Sequence, residues 1–178
     1  DTRKNIGYLF QFSEDQIFNS TVYEEIEFGL KCFGISDVDK HIKDSLKLVD
    51  LSDSCLNLNP YKLSNGDRRK VALASILAYD PDILILDEPT VGLDNNSKVS
   101  LMKLLKILKR DYGKTIIIVS HDINFIHKFV DYVYLINDGK IYLEGNKYDV
   151  LSNEEAMKKC GLVVPNILHF SNIVLKNK

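Results

Sequence analysis

The sequence predicts an α/β protein built on a mostly parallel sheet, and three observations carry that expectation. Short apolar runs at residues 6–10, 83–86 and 115–120 each end in polar residues, as buried parallel strands do when their C-terminal edge carries function. Between these runs lie segments whose apolar residues recur at helical spacing, and alternation of this kind argues for crossover helices on a parallel sheet. The chain then offers two β-like runs, 132–136 and 140–144, around Asn137-Asp138-Gly139, a hairpin turn sequence.

Taken in order, residues 6–10 are an apolar strand and 11–19 a polar loop. Thr21 and Glu24 form a capping box that opens a helix with Ile26, Leu30 and Phe33 along it, and Gly34 ends that helix. Residues 36–51 read as a second amphipathic helix through Ile42, Leu46 and Val49, and 53–58 as a short third. Pro60 breaks the chain, and a mostly apolar helix follows over 71–78. After the strand at 83–86, residues 95–112 are helical, with Val99, Met102, Leu105 and Leu108 as the core stripe. A strand at 115–120, a helix at 122–129, the hairpin, a short helix from Lys147 and another over 153–160 complete the chain.

Composition narrows the function classes. At 178 residues, 45% hydrophobic and 27% charged, the chain is an ordinary globular domain with a small appendage. A net charge of −2 leaves no footprint for nucleic acid. Cys32, Cys55 and Cys160 are odd in number and far apart, which suggests neither a disulfide framework nor a zinc site. The apolar runs fall far short of the roughly 18 residues that a spanning helix needs, so a membrane role would run through a partner. The first residue is Asp1 and the chain reads as a fragment of a longer protein.

Two places carry chemistry. Ser64, Asn65 and Gly66 stand ahead of a helix, where backbone N–H groups and the helix dipole meet an anion. Asp87 and Glu88 end an apolar strand, where Mg²⁺ and an attacking water belong in phosphoryl transfer. Each alone has a plain reading, a helix cap or a strand-end turn. Arg68, Arg69 and Lys70 read as a solvated helix face. His41, His127 and His169 read as surface or packing residues.

Together, Leu63-Ser-Asn-Gly-Asp67, the run ending in Asp87-Glu88, Gly92-Leu93-Asp94, Gln11 after IGYLF and His121 after TIIIVS resemble the motifs of the ATP-binding cassette (ABC) ATPases. Five motifs in the family's order over roughly residues 6–145 are far more specific than any one. The resemblance implies a P-loop NTPase core with an α-helical subdomain, about residues 20–80, inserted between Q-loop and signature. Residues 1–145 would be a partial ABC ATPase domain and 146–178 a short C-terminal extension. It implies that Glu88 polarises the water attacking the γ-phosphate of ATP and that His121 contacts that phosphate or water. Asp87 would hold Mg²⁺, with Gln11 sensing it, and Asp94 would couple two sites across a dimer.

In this family the signature Ser64, Asn65 and Gly66 would bind the γ-phosphate held by a second ATPase subunit. The sequence departs at Asn65, usually glycine, and at Asp67, usually glutamine. Asparagine is the non-glycine residue best able to take positive φ, so the loop can form; its added side chain and the acid near a phosphate point to a weakened half-site in an asymmetric pair. The G-x-x-x-x-G-K-[ST] phosphate loop is nowhere in the sequence, and Gly113-Lys114-Thr115, which carries its tail, reads as a turn into a strand. The chain alone is therefore expected to be inactive.

The stretch FQFSEDQIFNSTV resembles the FQ-x-P-E-D-Q-(I/L)-F-x-x-T-V of energy-coupling-factor (ECF) and cobalt-type importer ATPases. That likeness implies a peripheral subunit on the cytoplasmic face of the cell membrane. It would dock on a transmembrane coupling subunit near residues 11–30 and drive uptake of a vitamin or a transition-metal ion such as cobalt. The rival readings are a soluble ABC-type ATPase of DNA repair or chromosome condensation, which would need long coiled-coil heptads, and a non-catalytic binding fragment.

Overall fold

The computed structural model describes residues 2–165, so His169 and the end of the tail lie outside the described residues. The chain divides into two units, the first running to Val119 and the second starting at Ser120.

The first unit is a three-stranded parallel sheet with helices. β1 (Ile6–Leu9) pairs with β2 (Ile83–Asp87), and β2 with β3 (Thr115–Val119). The register sets Leu9, Leu86 and Ile118 in one row. Because side chains alternate across a strand, Gly7, Leu9, Leu84 and Leu86 share one face, and Leu9, Leu84 and Leu86 are fully buried there. The opposite face carries Ile6, Tyr8, Ile117 and Val119, all partly open to solvent.

α1 (Val22–Cys32) begins as its sequence dictates. Thr21 Oγ1 accepts from the Glu24 N–H, and the Glu24 carboxylate accepts from the Thr21 N–H, so two orphan donors are satisfied reciprocally. The next two, Val22 and Tyr23, donate to the carbonyls of Leu58 and Leu56. Val22, Ile26 and Leu30 line one stripe, each with no exposed surface, and each burial contributes roughly 1.5–3 kcal/mol. Gly34, at φ 64°, ends the turn. α2 (Val38–Leu48) buries Ile42 and Leu46. Both helices pack on α3 (Asn65–Leu77), which also covers β1.

Two expectations are corrected here. α3 starts at Asn65 rather than at Val71, because Ser64 caps the chain there. In α4 (Asn95–Arg110) the buried stripe is Leu101, Leu104, Leu105 and Leu108, while Val99 is 52% exposed. Leucines at spacings of three and four outcompete the β-branched valine for the core face. The turn at Gly113 is confirmed: its φ is 65°, and Lys114 is buried with Nζ 2.6 Å from Asp80 Oδ1.

The second unit holds α5 (Ile123–Phe129), an antiparallel hairpin of β4 (Tyr132–Asn137) and β5 (Lys140–Asn146), then α6 (Lys147–Leu151) and α7 (Glu154–Lys159). Asp138 and Gly139 both have positive φ, 48° and 71°, which matches the twist of the flanking strands. Phe125, Phe129, Leu135, Val150, Leu151 and Met157 are buried. His127 sits edge-on to Tyr148, ring centroids 6.0 Å apart. Burial, then the charges of Lys147 and Lys128, holds its pKa below the usual histidine value, so it is the packing residue the sequence suggested.

Gly7 sets the distance between α3 and the sheet. A methyl group there would collide with Ile76 Cγ2 and lie 2.9 Å from Leu84 Cδ2. Gly7→Ala is expected to lower unfolding stability by about 1–3 kcal/mol, read as a reduced urea midpoint. A variant as stable as the parent would mean that α3 has slack against β1.

Candidate functional site

β2 hands its last residue, Asp87, and the one after it, Glu88, to the C-terminal edge of the sheet. Glu88 has φ 43°, and its N–H donates to Val119 O at 2.8 Å. A glutamate in the left-handed region carries a steric cost of order 1–3 kcal/mol that persists only where the surroundings impose it. Here β3's last carbonyl imposes it. The chain then turns tightly: Val91 N–H donates to Glu88 O, Leu93 N–H to Thr90 O, and Thr90 itself is buried.

Asp87 is oriented by a residue that sequence reading passed over. The Tyr8 hydroxyl donates to Asp87 Oδ2 at 3.3 Å. Partial desolvation first, then the Asp87 charge and this hydrogen bond, push the phenol's pKa up. Its signal was available in the alternation, because Tyr8 pairs with Ile85 and so shares a sheet face with Asp87.

Gln11 opens a loop that is fastened from several elements. Gln16 lays its amide along β1, donating to Tyr8 O at 3.2 Å and accepting from Phe10 N–H at 3.3 Å. Glu25, buried on α1, accepts from the N–H groups of Phe18 and Asn19 and from the Asn19 side chain, at 2.9–3.1 Å. Tyr61 donates its hydroxyl to Ile17 O at 2.7 Å.

Arg69 overturns the expectation of a solvated helix face. It is only 8% exposed. Its Nη1 donates to Pro89 O at 2.7 Å and Val91 O at 2.9 Å, and its Nη2 to Gln11 O at 2.9 Å. The Gln11 loop and the turn after Glu88 are thus tied to one guanidinium on α3. A buried arginine needs partners of this kind, and they are 20 to 58 residues away in sequence, so no local pattern announces them.

Ser64 is the N-cap of α3. Its Oγ accepts from Asp67 N–H at 3.1 Å and donates to Asp67 Oδ2 at 2.9 Å. Asn65 lies inside the helix and not at positive φ, so the expected loop with a left-handed asparagine is replaced by a helix start. Asp94 caps α4 by accepting from Ser97 N–H at 2.7 Å. That backbone bond, with the Ser97 hydroxyl, lowers its carboxyl pKa. Ser64, Gly66, Asp67, Lys70 and Ser97 line an open cavity of about 490 Å³ between α3 and α4, so the cap of α3 and Ser97, the partner of Asp94, border the same space. His121 lies in the second unit, exposed, just before Asp122 caps α5 by accepting from Phe125 N–H.

The chain is similar to known proteins. The family model described as ABC transporter matches residues 1–91. The energy-coupling factor transporter ATP-binding protein EcfA2 of Clostridium perfringens is 38% identical over 100% of this chain and 63% of its own length. EcfA of Methanocaldococcus jannaschii is 40% identical over 99% of this chain and 63% of its own. The chain therefore spans less than two thirds of these curated relatives. Among solved structures, cbiO1 from Clostridium perfringens, part of the ABC transporter complex cbiONQ, superposes with a TM-score of 0.76 at 33% identity, covering 96% of this chain and 68% of that one. The dimeric ATP-binding cassette MJ0796, in a post-hydrolysis state bound to ADP and Pi, gives 0.72 at 32% identity over 82% of this chain and 64% of that one. With a parallel sheet that ends in Asp87-Glu88 and a serine-capped helix after the helical insert, the chain belongs to the ABC transporter family.

Proposed function

We propose that this chain is part of the ATP-binding and ATP-hydrolysing subunit of an ECF-type importer, in which two cassettes close over ATP and drive uptake of a vitamin or a transition-metal ion such as cobalt. The observation that carries the reading is Glu88, a carboxylate held at a strand end in a backbone conformation that glutamate does not choose for itself. It would accept the proton of a water whose oxygen attacks the γ-phosphorus as the bond to the β–γ bridging oxygen breaks. Ser64, Asn65 and Gly66 would offer the first turn of α3 to the γ-phosphate of the second subunit. His121 would hold that phosphate or the water, Gln11 would sense the metal, and Asp94 would couple the two sites. The phosphate loop would come from outside this chain, along with a layer over the open apolar face of the sheet, and the domain would run to about residue 145.

Mg²⁺ fits the donors present. Among the described residues no cluster of three or more metal-ligating side chains exists, and Mg²⁺ with phosphates and waters needs only one or two carboxylates. Asp87, held by Tyr8, is such a donor. When bound, the ion neutralises charge on the β- and γ-phosphates.

The docking face for a transmembrane subunit would be the loop and α1, where Phe12, Phe18 and Phe28 are 53%, 62% and 48% exposed and Phe18 and Phe28 stack edge-on at 4.8 Å. Among the described residues no helix is long and apolar enough to cross a membrane, and the subunit would sit peripherally at the cytoplasmic face through that partner. Against the DNA-repair class stands the insert itself: α1 and α2 have 11 residues each, far too few for a coiled-coil arm.

In the full-length protein, Glu88→Gln is expected to lower kcat by roughly 10²–10⁴-fold with ATP binding retained. Glu88→Gly should be equally inactive yet more stable than Glu88→Gln by up to about 1 kcal/mol, because strain is relieved. Turnover unaffected by Glu88→Gln would sink the assignment of the base.

Asp67→Gln is expected to lower the ATP concentration needed for dimerisation by roughly two- to fivefold, as one charge at a helix N-terminus is worth about 0.3–1 kcal/mol. Sedimentation velocity across an ATP titration reads this directly, and an unchanged midpoint would mean that the acid does not weaken the half-site.

Phe18→Asp with Phe28→Asp should abolish co-purification with the transmembrane subunit while sparing ATPase activity. Undiminished co-purification would move the docking face elsewhere.

A further inference from the structure

We infer that Arg69 is a positioning residue that links the Gln11 loop mechanically to the turn carrying Glu88, so that displacement of the loop changes the catalytic carboxylate. This deepens the proposed ATPase reading and rests on it.

The geometry is specific to a guanidinium. One nitrogen, Nη1, holds the carbonyls of both Pro89 and Val91, the residues that flank buried Thr90 in the turn after Glu88. The other, Nη2, holds Gln11 O. The planar fork fixes the separation of these nitrogens, so the two segments cannot shift independently while the bonds last. The side chain rises from α3, which Ser64 caps at the edge that would face a second subunit's nucleotide. It is buried, and burial keeps water from replacing a broken bond cheaply.

The loop is braced along its length, so a load on it is passed on rather than absorbed within it. Gln16 fastens it to β1, Glu25 holds Phe18 and Asn19, and Tyr61 holds Ile17. Between these fastenings Phe12 and Phe18 stand out to solvent. A push on those rings therefore reaches Gln11 and, through Arg69, the turn at residues 88–91. A purely structural arginine would make the same bonds, so the experiment must separate stability from turnover.

The test uses the full-length ATPase with MgATP as substrate, comparing wild type, Arg69→Lys, Arg69→Met and Glu88→Gln for kcat, KM and thermal midpoint. At a temperature where every variant is folded, Arg69→Lys and Arg69→Met are expected to lower kcat tenfold or more with KM within threefold. Lysine should fail to rescue because its ammonium is a single point and cannot hold three carbonyls set by a fork. Should Arg69→Met not fold, Arg69→Gln replaces it, with the same tenfold or greater loss of kcat expected. Turnover within twofold of wild type in folded Arg69→Lys, or a rise in KM with kcat unchanged, overturns the positioning role. If Glu88→Gln retains turnover, the ATPase reading itself fails; loss in Glu88→Gln beside normal Arg69→Lys turnover removes only the link.

Discussion

Because β1, β2 and β3 run parallel with Leu9, Leu86 and Ile118 in one row, the chain must leave the sheet three times at the same edge. Parallel strands return by crossovers, and here the crossovers are the helical insert with α3 and then α4. Gln11 and the Asp87-Glu88 pair, which follow the first two apolar runs, are thereby gathered at one edge of the first unit without any local sequence signal for proximity. Glu88 shows how tightly this edge is drawn. Its N–H continues the ladder to Val119 O one residue past the last paired position, and its φ of 43° is the bend needed to leave the ladder afterwards.

A second constraint is that ionisable side chains are buried beside the edge and satisfied largely by main chain. Glu25 accepts the N–H groups of the Gln11 loop, and Arg69 donates to carbonyls of that loop and of the Glu88 turn. Hydrogen bonds to a charged group contribute roughly 1.5–3 kcal/mol each, so these contacts leave the loop few alternative conformations. A loop of polar sequence is thus made rigid from outside.

What was legible in the sequence was local. The Thr21 and Glu24 capping box, the Gly34 stop and the Asn137-Asp138-Gly139 turn act over three or four residues, and their chemistry is written in the residues themselves. The strand ends at Asp87 and Val119 were legible because apolar runs of that length have few other uses. The start of α3 was not, since residues 65–70 contain no apolar side chain to mark a helix. Arg69 was hidden for a deeper reason: its position among Asp67, Arg68 and Lys70 is that of a surface charge, and only the return of the chain at Gln11 and Pro89 buries it. The rotation of the α4 stripe away from Val99 is of the same kind, decided by which face the sheet presents.

The structure also changes which departure in the signature matters. Asn65 sits within α3 at ordinary helical dihedrals, so replacing the usual glycine there demands no left-handed residue and no strain. Asp67 is different. Its carboxylate accepts a hydrogen bond from the Ser64 hydroxyl and its N–H donates to the Ser64 oxygen, so the serine is engaged on both sides by the same residue. A phosphate approaching the first turn of α3 would have to compete with an acid already in place and of its own sign. A glutamine there could donate toward the phosphate, whereas aspartate can only accept and repel. On the proposed reading, any asymmetry between two cassettes would arise from the side chain at 67, not from the backbone at 65.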